Sequence, residues 1–234
     1  MPALHDPPTA FPPLDTALAE PNGLLAIGGD LAPERLLDAY RRGIFPWFNP
    51  GEPILWWSPD PRMVLVPDAV RVTRSLARRL RNGGFELRVD TAFVEVMRAC
   101  AGPRAPAGRA SGGTWISPAM IAAYTRLYEA GYAHSIESWR DGRLVGGLYG
   151  VAIGRMFYGE SMFSRESDAS KVALVRLCRQ LAQWEFGLVD CQMETPHLAS
   201  LGARTLPRAT FAAQVAELVN LSHRAGPWSF DASD

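Results

Sequence analysis

Residues 133–192 read AHSIESWRDGRLVGGLYGVAIGRMFYGESMFSRESDASKVALVRLCRQLAQWEFGLVDCQ, and their apolar pattern sets the architecture of the chain. The first half predicts a meander of strands joined by turns that contain Gly142 and Gly154. The second half predicts a helix capped by Ser167 or Asp168, followed by the strand GLVDCQ. The apolar face of that helix carries Leu174, Leu177, Leu181 and Trp184. This order of elements predicts a mixed α/β or α+β sheet.

The sequence on the N-terminal side of this stretch divides into an arm and a small domain. Residues 1–14 are rich in proline, which predicts a flexible arm. Residues 15–62 predict a small, loop-rich domain, because prolines among its tryptophans exclude long helices. Residues 63–234, which include the meander, then form a larger second domain.

Length, composition and cysteine content are typical of a globular protein in a reducing compartment. The 234 residues are 47% hydrophobic and 21% charged, which excludes a disordered chain, a coiled coil and a collagen-like repeat. No apolar run reaches the ~20 residues of a membrane helix, and we expect no signal peptide at this N-terminus. The three cysteines, Cys100, Cys178 and Cys191, show no metal-ligand spacing, and their odd number leaves one unpaired. Because this fits a reducing compartment, we expect a cytoplasmic location.

Known motifs for nucleotide or metal chemistry are absent from the sequence. It contains no G-x-x-x-x-G-K loop, no G-x-G-x-x-G opening a helix and no G-x-S-x-G elbow. The histidines His5, His134, His197 and His223 are scattered without metal spacing. We therefore expect neither a cofactor nor a metal.

Arginines form a stripe on a helix that Thr73 is predicted to cap and that is predicted to end near residue 81. Arg74, Arg78 and Arg81 recur at i, i+4 and i+7, and Arg71 precedes them. The net charge is zero, with 24 basic and 24 acidic residues, so the overall charge does not indicate a nucleic-acid partner. The stripe is equally compatible with an ordinary solvated helix face and with a phosphate-binding surface.

Several short strings in order along the chain carry a resemblance to a known family: PNGLLAIGGDL, GIFPWF, ILWWSPDPR, GTWI, HSIE, GESMFS, ASK, DCQ and ASLGA. From about Phe11 to beyond Gly202 the chain resembles the bacterial leucyl/phenylalanyl-tRNA–protein transferases. The resemblance implies a small N-terminal domain followed by an acyl-CoA N-acyltransferase-like (GNAT) domain. It implies transfer of Leu or Phe, and less well Met, from aminoacyl-tRNA to proteins that begin with Arg or Lys, which marks them for N-end rule degradation. It also implies a cytoplasmic enzyme without cofactor or metal, and we expect a monomer that contacts no membrane.

The implied reaction is attack of an amine on the ester that joins an amino acid to a tRNA 3′ end. An α-amine has a pKa of about 7.7–8.0 and the ester is activated, so neither a covalent nucleophile nor a metal is required. Asp190 and Gln192 are two apart on a predicted strand and therefore point to the same face. By resemblance they lie at the reacting centre, where Asp190 takes the amine proton and Gln192 orients or polarises, and Glu160 helps position the substrate. Without the resemblance, the pair could merely complete a strand with local hydrogen bonds.

The remaining site residues also come from the resemblance. The aromatic residues placed near the 3′ adenosine and aminoacyl group are Trp47, Trp115 and Tyr124, although core packing is the alternative for any large ring. The acyl pocket is matched by Leu148, Phe157, Leu177, Leu181 and Val189, which could equally be ordinary core. The residues assigned to tRNA phosphates are Arg71, Arg74, Arg78, Arg79 and Arg81, with Arg104 and Arg109 as weaker candidates.

Two other function classes remain as alternatives to an aminoacyltransferase. An acetyl-CoA-dependent N-acetyltransferase needs a glycine-containing pyrophosphate loop before its helix, and residues 163–170 contain no glycine. A non-catalytic tRNA-binding module would explain the arginine stripe but not the acidic residues Glu160 and Asp190.

Overall fold

The protein contains two β-sheets, seen in a computed structural model that describes residues 3–4, 10–102 and 114–231. The smaller sheet has the strand order β1-β2-β4-β3. Its strands are β1 (Ala3–Leu4), β2 (Leu24–Gly28), β3 (Phe45–Pro46) and β4 (Leu55–Trp57). Helix α1 (Pro33–Arg41) connects β2 to β3 and begins with a proline, as helices often do.

The larger sheet has seven strands in the order β11-β5-β10-β9-β8-β7-β6. Its strands are β5 (Arg62–Leu65), β6 (Glu86–Val89), β7 (Ala133–Arg140), β8 (Arg143–Ile153), β9 (Met156–Ser164), β10 (Leu188–Gln192) and β11 (Arg204–Leu206). β10 runs parallel to β9, whereas the other neighbouring strands are antiparallel. The mixed α/β class is confirmed, and β7, β8 and β9 are the predicted meander.

Helices pack on both faces of the larger sheet. They are α2 (Arg74–Asn82), α3 (Phe93–Cys100), α4 (Pro118–Glu129), α5 (Ala169–Gln183), α6 (Pro196–Ser200) and α7 (Arg208–Leu218), and short 3-10 helices lie at Leu14–Thr16 and Pro67–Ala69. Strand alternation sends Phe157 into the core shared with α5 and Tyr158 into the core shared with α4 and α7. Within the described ranges, no helix has the length and apolar character that crossing a membrane requires.

The caps predicted at the N-termini of α2 and α5 have different outcomes. Thr73 caps α2 as expected, because its hydroxyl accepts a hydrogen bond from the Leu76 N–H at 3.3 Å. Asp168 occupies the N-cap position of α5 as predicted, but it has a left-handed φ of 65° and its side chain makes no capping hydrogen bond. The Ser164 hydroxyl, at the end of β9, instead accepts the Ser170 N–H at 2.9 Å. A cap from a neighbouring strand leaves no local sequence signal.

The predicted N-terminal arm is wrong from Phe11 onward. Phe11 is buried, and its ring lies edge-on against Trp56 at 4.9 Å between centroids. Of the preceding residues, the backbone of Ala3–Leu4 pairs with β2, and the others except Ala10 lie outside the described residues.

Candidate active site

A cavity of about 440 Å³ opens beside the parallel strands β9 and β10. The two strands pair from Leu188 with Met156 to Asp190 with Tyr158, and beyond this point residues of both strands line the cavity. The apolar lining residues include Leu148, Phe157, Met162, Leu174, Val189 and Leu198, and the polar ones include Glu160, Ser161, Asp190, Gln192, Thr195 and His197. The volume lies in the range of small-molecule sites, and the divided lining suits an apolar group attached to a polar one.

Glu160 on β9 is held by two buried tyrosines from separate helices. The Tyr40 hydroxyl donates to Glu160 Oε1 at 2.7 Å, and the Tyr124 hydroxyl donates to Oε2 at 3.1 Å. The two hydroxyls also contact each other. Burial raises the pKa of Glu160 to about 7, although the two tyrosine hydrogen bonds favour the ionised form. A carboxyl group with this pKa changes its charge within the physiological pH range.

Asp190 on β10 is fully buried and paired with an arginine. Arg62 on β5 donates from Nε to Asp190 Oδ1 at 2.8 Å and from Nη2 to Oδ2 at 2.6 Å. The Gln192 N–H also donates to Oδ1, at 2.9 Å. Asp190 therefore lines the cavity as one half of a bidentate ion pair, which sequence reasoning missed because Arg62 lies far away in the chain.

The prediction that a regular strand places Asp190 and Gln192 on one face is wrong about the strand. Their strand does not alternate regularly, since its pairing with β5 shifts between these two residues and Gln192 has a φ of 56°. Both residues nevertheless line the cavity, and the bulge lies between them.

Two of the three aromatic residues assigned to the donor lie at the cavity. Trp47 is 40% exposed and Trp115 is partly exposed, and both line it. Trp47 is held in place by Trp57, whose indole N–H donates to the Trp47 carbonyl at 2.7 Å. Tyr124 does not line the cavity: its ring is fully buried and offers no stacking surface, and its hydroxyl donates to Glu160, which does line the cavity.

Three of the five residues assigned to an acyl pocket line the cavity, and the two from the helix do not. Leu148, Phe157 and Val189 line the cavity. Leu177 and Leu181 instead lie in the buried core around α5, and the helix contributes Leu174 to the cavity wall. All three leucines share the apolar face of α5, so helical spacing cannot tell which end of that face meets the cavity.

The arginine stripe is a solvent-exposed surface on and before α2. Arg71, Arg74, Arg78 and Arg81 are exposed. Arg79 differs, because it donates to the Ser167 carbonyl at 3.3 Å and its guanidinium lies 5.6 Å from the Phe85 ring. The structure therefore gives Arg79 a packing role beside α5. Arg104 and Arg109 lie outside the described residues.

Comparison with known proteins gives matches along most of the chain. A family model described as leucyl/phenylalanyl-tRNA protein transferase matches residues 64–216, and the model of that family's N-terminal domain matches residues 29–60. Among solved structures, a GCN5-related N-acetyltransferase from Kribbella flavida aligns with a TM-score of 0.37 at 14% identity, covering 74% of this chain and 59% of that one.

Curated relatives of similar length carry one shared name. The leucyl/phenylalanyl-tRNA–protein transferase of Thiobacillus denitrificans is 78% identical over 221 residues, which is 94% of this chain and 95% of the relative. The protein of the same name from Nitrosospira multiformis is 62% identical and covers 94% of each chain. The chain therefore belongs to the leucyl/phenylalanyl-tRNA–protein transferase family of aminoacyltransferases.

Proposed function

We propose that the protein transfers Leu or Phe, and less well Met, from aminoacyl-tRNA to the α-amine of proteins that begin with Arg or Lys. The observation that carries this proposal is a cavity with an apolar wall next to Glu160, a carboxyl group whose charge changes near neutral pH. Family membership supports the aminoacyl donor and the protein acceptor. The product begins with Leu or Phe and enters N-end rule degradation, in the cytoplasm.

The apolar wall fits the acyl side chain of the donor. Leu148, Phe157 and Val189 are buried residues on three neighbouring strands of the larger sheet. Because the sheet fixes the backbone of these strands, the pocket has a fixed shape. Leu, Phe and Met are unbranched at Cβ. A fixed wall excludes Val and Ile by shape, and such misfits are worth ~1–3 kcal/mol per methylene-sized group.

Glu160 is the carboxyl group available to the acceptor. Among the described residues that line the cavity, the charge of Asp190 is already matched by Arg62, whereas Glu160 is held by neutral tyrosines. The amine nitrogen attacks the ester carbonyl, an amide bond forms and the bond to the tRNA 3′ oxygen breaks. Glu160 takes the proton that the amine loses and gives it to the departing tRNA 3′ oxygen, which leaves as a hydroxyl.

The donor's tRNA is held by rings near the cavity and by charge further away. Trp47 and Trp115 offer ring faces to the terminal adenosine, and such stacking is worth about 1–3 kcal/mol per base. Arg71, Arg74 and Arg78, together with Arg81, contact phosphates of the acceptor stem. Phosphate contacts carry no sequence information, which suits an enzyme that selects the amino acid and not the tRNA.

The triple variant R74Q/R78Q/R81Q is expected to raise KM for the charged tRNA about 10-fold or more while leaving kcat unchanged. The slope of log KM against log salt should become shallower by ~0.7–0.9 for each phosphate that the variant no longer neutralises. Steady-state transfer measured between low and physiological salt tests this. R143Q, at an exposed hairpin position, is the control. An unaltered slope in the triple variant would remove α2 from the tRNA-binding surface.

The direct test uses purified protein, Leu-tRNA or Phe-tRNA, and peptides that differ only in an N-terminal Arg, Lys or Ala. Mass spectrometry should show one added Leu or Phe on the Arg and Lys peptides and none on the Ala peptide. Acetylation from acetyl-CoA without aminoacyl transfer would overturn the proposal in favour of an N-acetyltransferase. Stoichiometric tRNA binding without either reaction would identify a binding module.

A further inference from the structure

Arg62 is a buried cation directly behind the cavity wall. Its side chain is only 1% exposed, and the guanidinium lies 4.8 Å from the Phe45 ring and 4.6 Å from the Phe211 ring. Its third hydrogen bond runs from Nη1 to the Gly43 carbonyl at 3.0 Å. One side chain thus contacts the segment before β3, strand β10 and helix α7, and the planar fork of arginine suits such a site better than lysine.

Hydrogen bonds from Arg62 and Gln192 occupy both oxygens of the Asp190 carboxylate. Oδ1 accepts hydrogen bonds from Arg62 Nε and from the Gln192 N–H, and Oδ2 accepts one from Arg62 Nη2. A proton acceptor needs a lone pair that reaches the amine, and Asp190 has no exposed surface.

The hydrogen bond from Gln192 connects this ion pair to the cavity. It spans the bulge at which β10 leaves its register with β5, and Gln192, at the far side of the bulge, lines the cavity. The orientation of the Asp190 carboxylate therefore sets the position of the backbone at Gln192, and Arg62 sets the orientation of Asp190.

We propose that Arg62 is a positioning residue of the transfer reaction, which acts through the Asp190 carboxylate to hold the Gln192 bulge in the geometry the substrates need. Asp190 in this arrangement is an anchor and does not accept the amine proton. The inference rests on the proposed aminoacyl transfer and assigns to Asp190 a role different from general base.

The decisive experiment compares D190N with the double variant R62Q/D190N. In D190N the new NH₂ group faces the guanidinium donors, and the buried cation has lost its anion, so Gln192 moves and kcat should fall at least 100-fold. In the double variant the amide oxygen at position 62 can accept a hydrogen bond from the amide NH₂ at position 190. The amide oxygen at position 190 still accepts the Gln192 N–H. We expect kcat at least 10-fold above that of D190N. A folded double variant no more active than D190N would show that the carboxylate itself is required and would overturn the proposal.

A second variant tests the proposal even if D190N does not fold. R62K keeps the charge and loses the bidentate fork, so kcat should fall about 10-fold while KM for the charged tRNA stays unchanged. R35K is the matched control, because Arg35 is also buried and pairs with Asp30 at 3.2 Å. R35K should lower thermal stability and leave kcat intact. Wild-type kcat in R62K, or an equal fall in R35K, would overturn the proposal, whereas an inactive wild-type protein would refute the transfer reaction instead.

Discussion

E160Q is expected to lower kcat/KM for aminoacyl transfer by about 10²–10⁴-fold, the usual contribution of a positioned general base. Glutamine keeps the shape of the side chain and an oxygen that can accept from Tyr40 or Tyr124, so the loss reports on the charge and on the proton it receives. Initial rates with an Arg-peptide and Leu-tRNA measure the effect. E166Q is the control, because Glu166 pairs with Arg140 and does not line the cavity.

The pH profile of E160Q separates Glu160 from the acceptor amine. In the wild type, activity should rise with pH through about 7 as Glu160 ionises, and again as the amine loses its proton near 7.7–8.0. E160Q should keep only the second rise. The groups that face Glu160 are Tyr40, Tyr124, Asp190 and Arg62, of which the tyrosines, with pKa values raised well above 10 by burial, stay neutral throughout. An acidic limb that persists in E160Q would exclude Glu160 as the proton acceptor.

The same substitution should stabilise the protein at alkaline pH. The pKa of Glu160 is raised from 4.5 to about 7, so its contribution to stability is complete below pH 4.5 and is lost as pH rises through 7. E160Q removes the buried charge and should raise Tm at pH 8 by about 2–4 °C for each kcal/mol gained. At pH 4.5 the two proteins should melt alike. Calorimetry at both pH values checks the sign.

L174A is expected to raise the ratio of kcat/KM for Phe-tRNA over Leu-tRNA about 10-fold or more. Truncation enlarges the cavity at its apolar wall, so a leucyl group packs less closely there, whereas the larger phenyl ring can fill the new space. Competition between the two charged tRNAs for one Arg-peptide gives the ratio directly by mass spectrometry.

L177A is the matched control for this prediction. Leu177 lies one turn further along α5 and is equally buried, yet it packs in the core and not at the cavity. L177A should lower the free energy of unfolding by about 2–5 kcal/mol and leave the Phe/Leu ratio unchanged. If L177A changed the ratio as much as L174A does, the cavity would not be the acyl pocket.

Local sequence patterns were sufficient for the elements that surround the site. The alternation in residues 133–163 predicted the three-stranded meander, and the periodicity after it predicted α5, because each pattern is complete within one or two elements. Thr73 was recognised as a cap for the same reason, since its partner is three residues away. The family resemblance supplied Glu160, Asp190 and Gln192 as site residues.

Contacts between distant parts of the chain decided how those residues are arranged. Arg62 and Asp190 are 128 positions apart, and Tyr40 and Glu160 are 120 apart, so no local pattern connects them. Whether Asp190 is a base or an anchor, and whether Glu160 titrates near neutral pH, follows from these partners and from the exclusion of water. A short segment encodes which backbone conformation it prefers, whereas the charge state and orientation of a side chain depend on everything that folding packs around it.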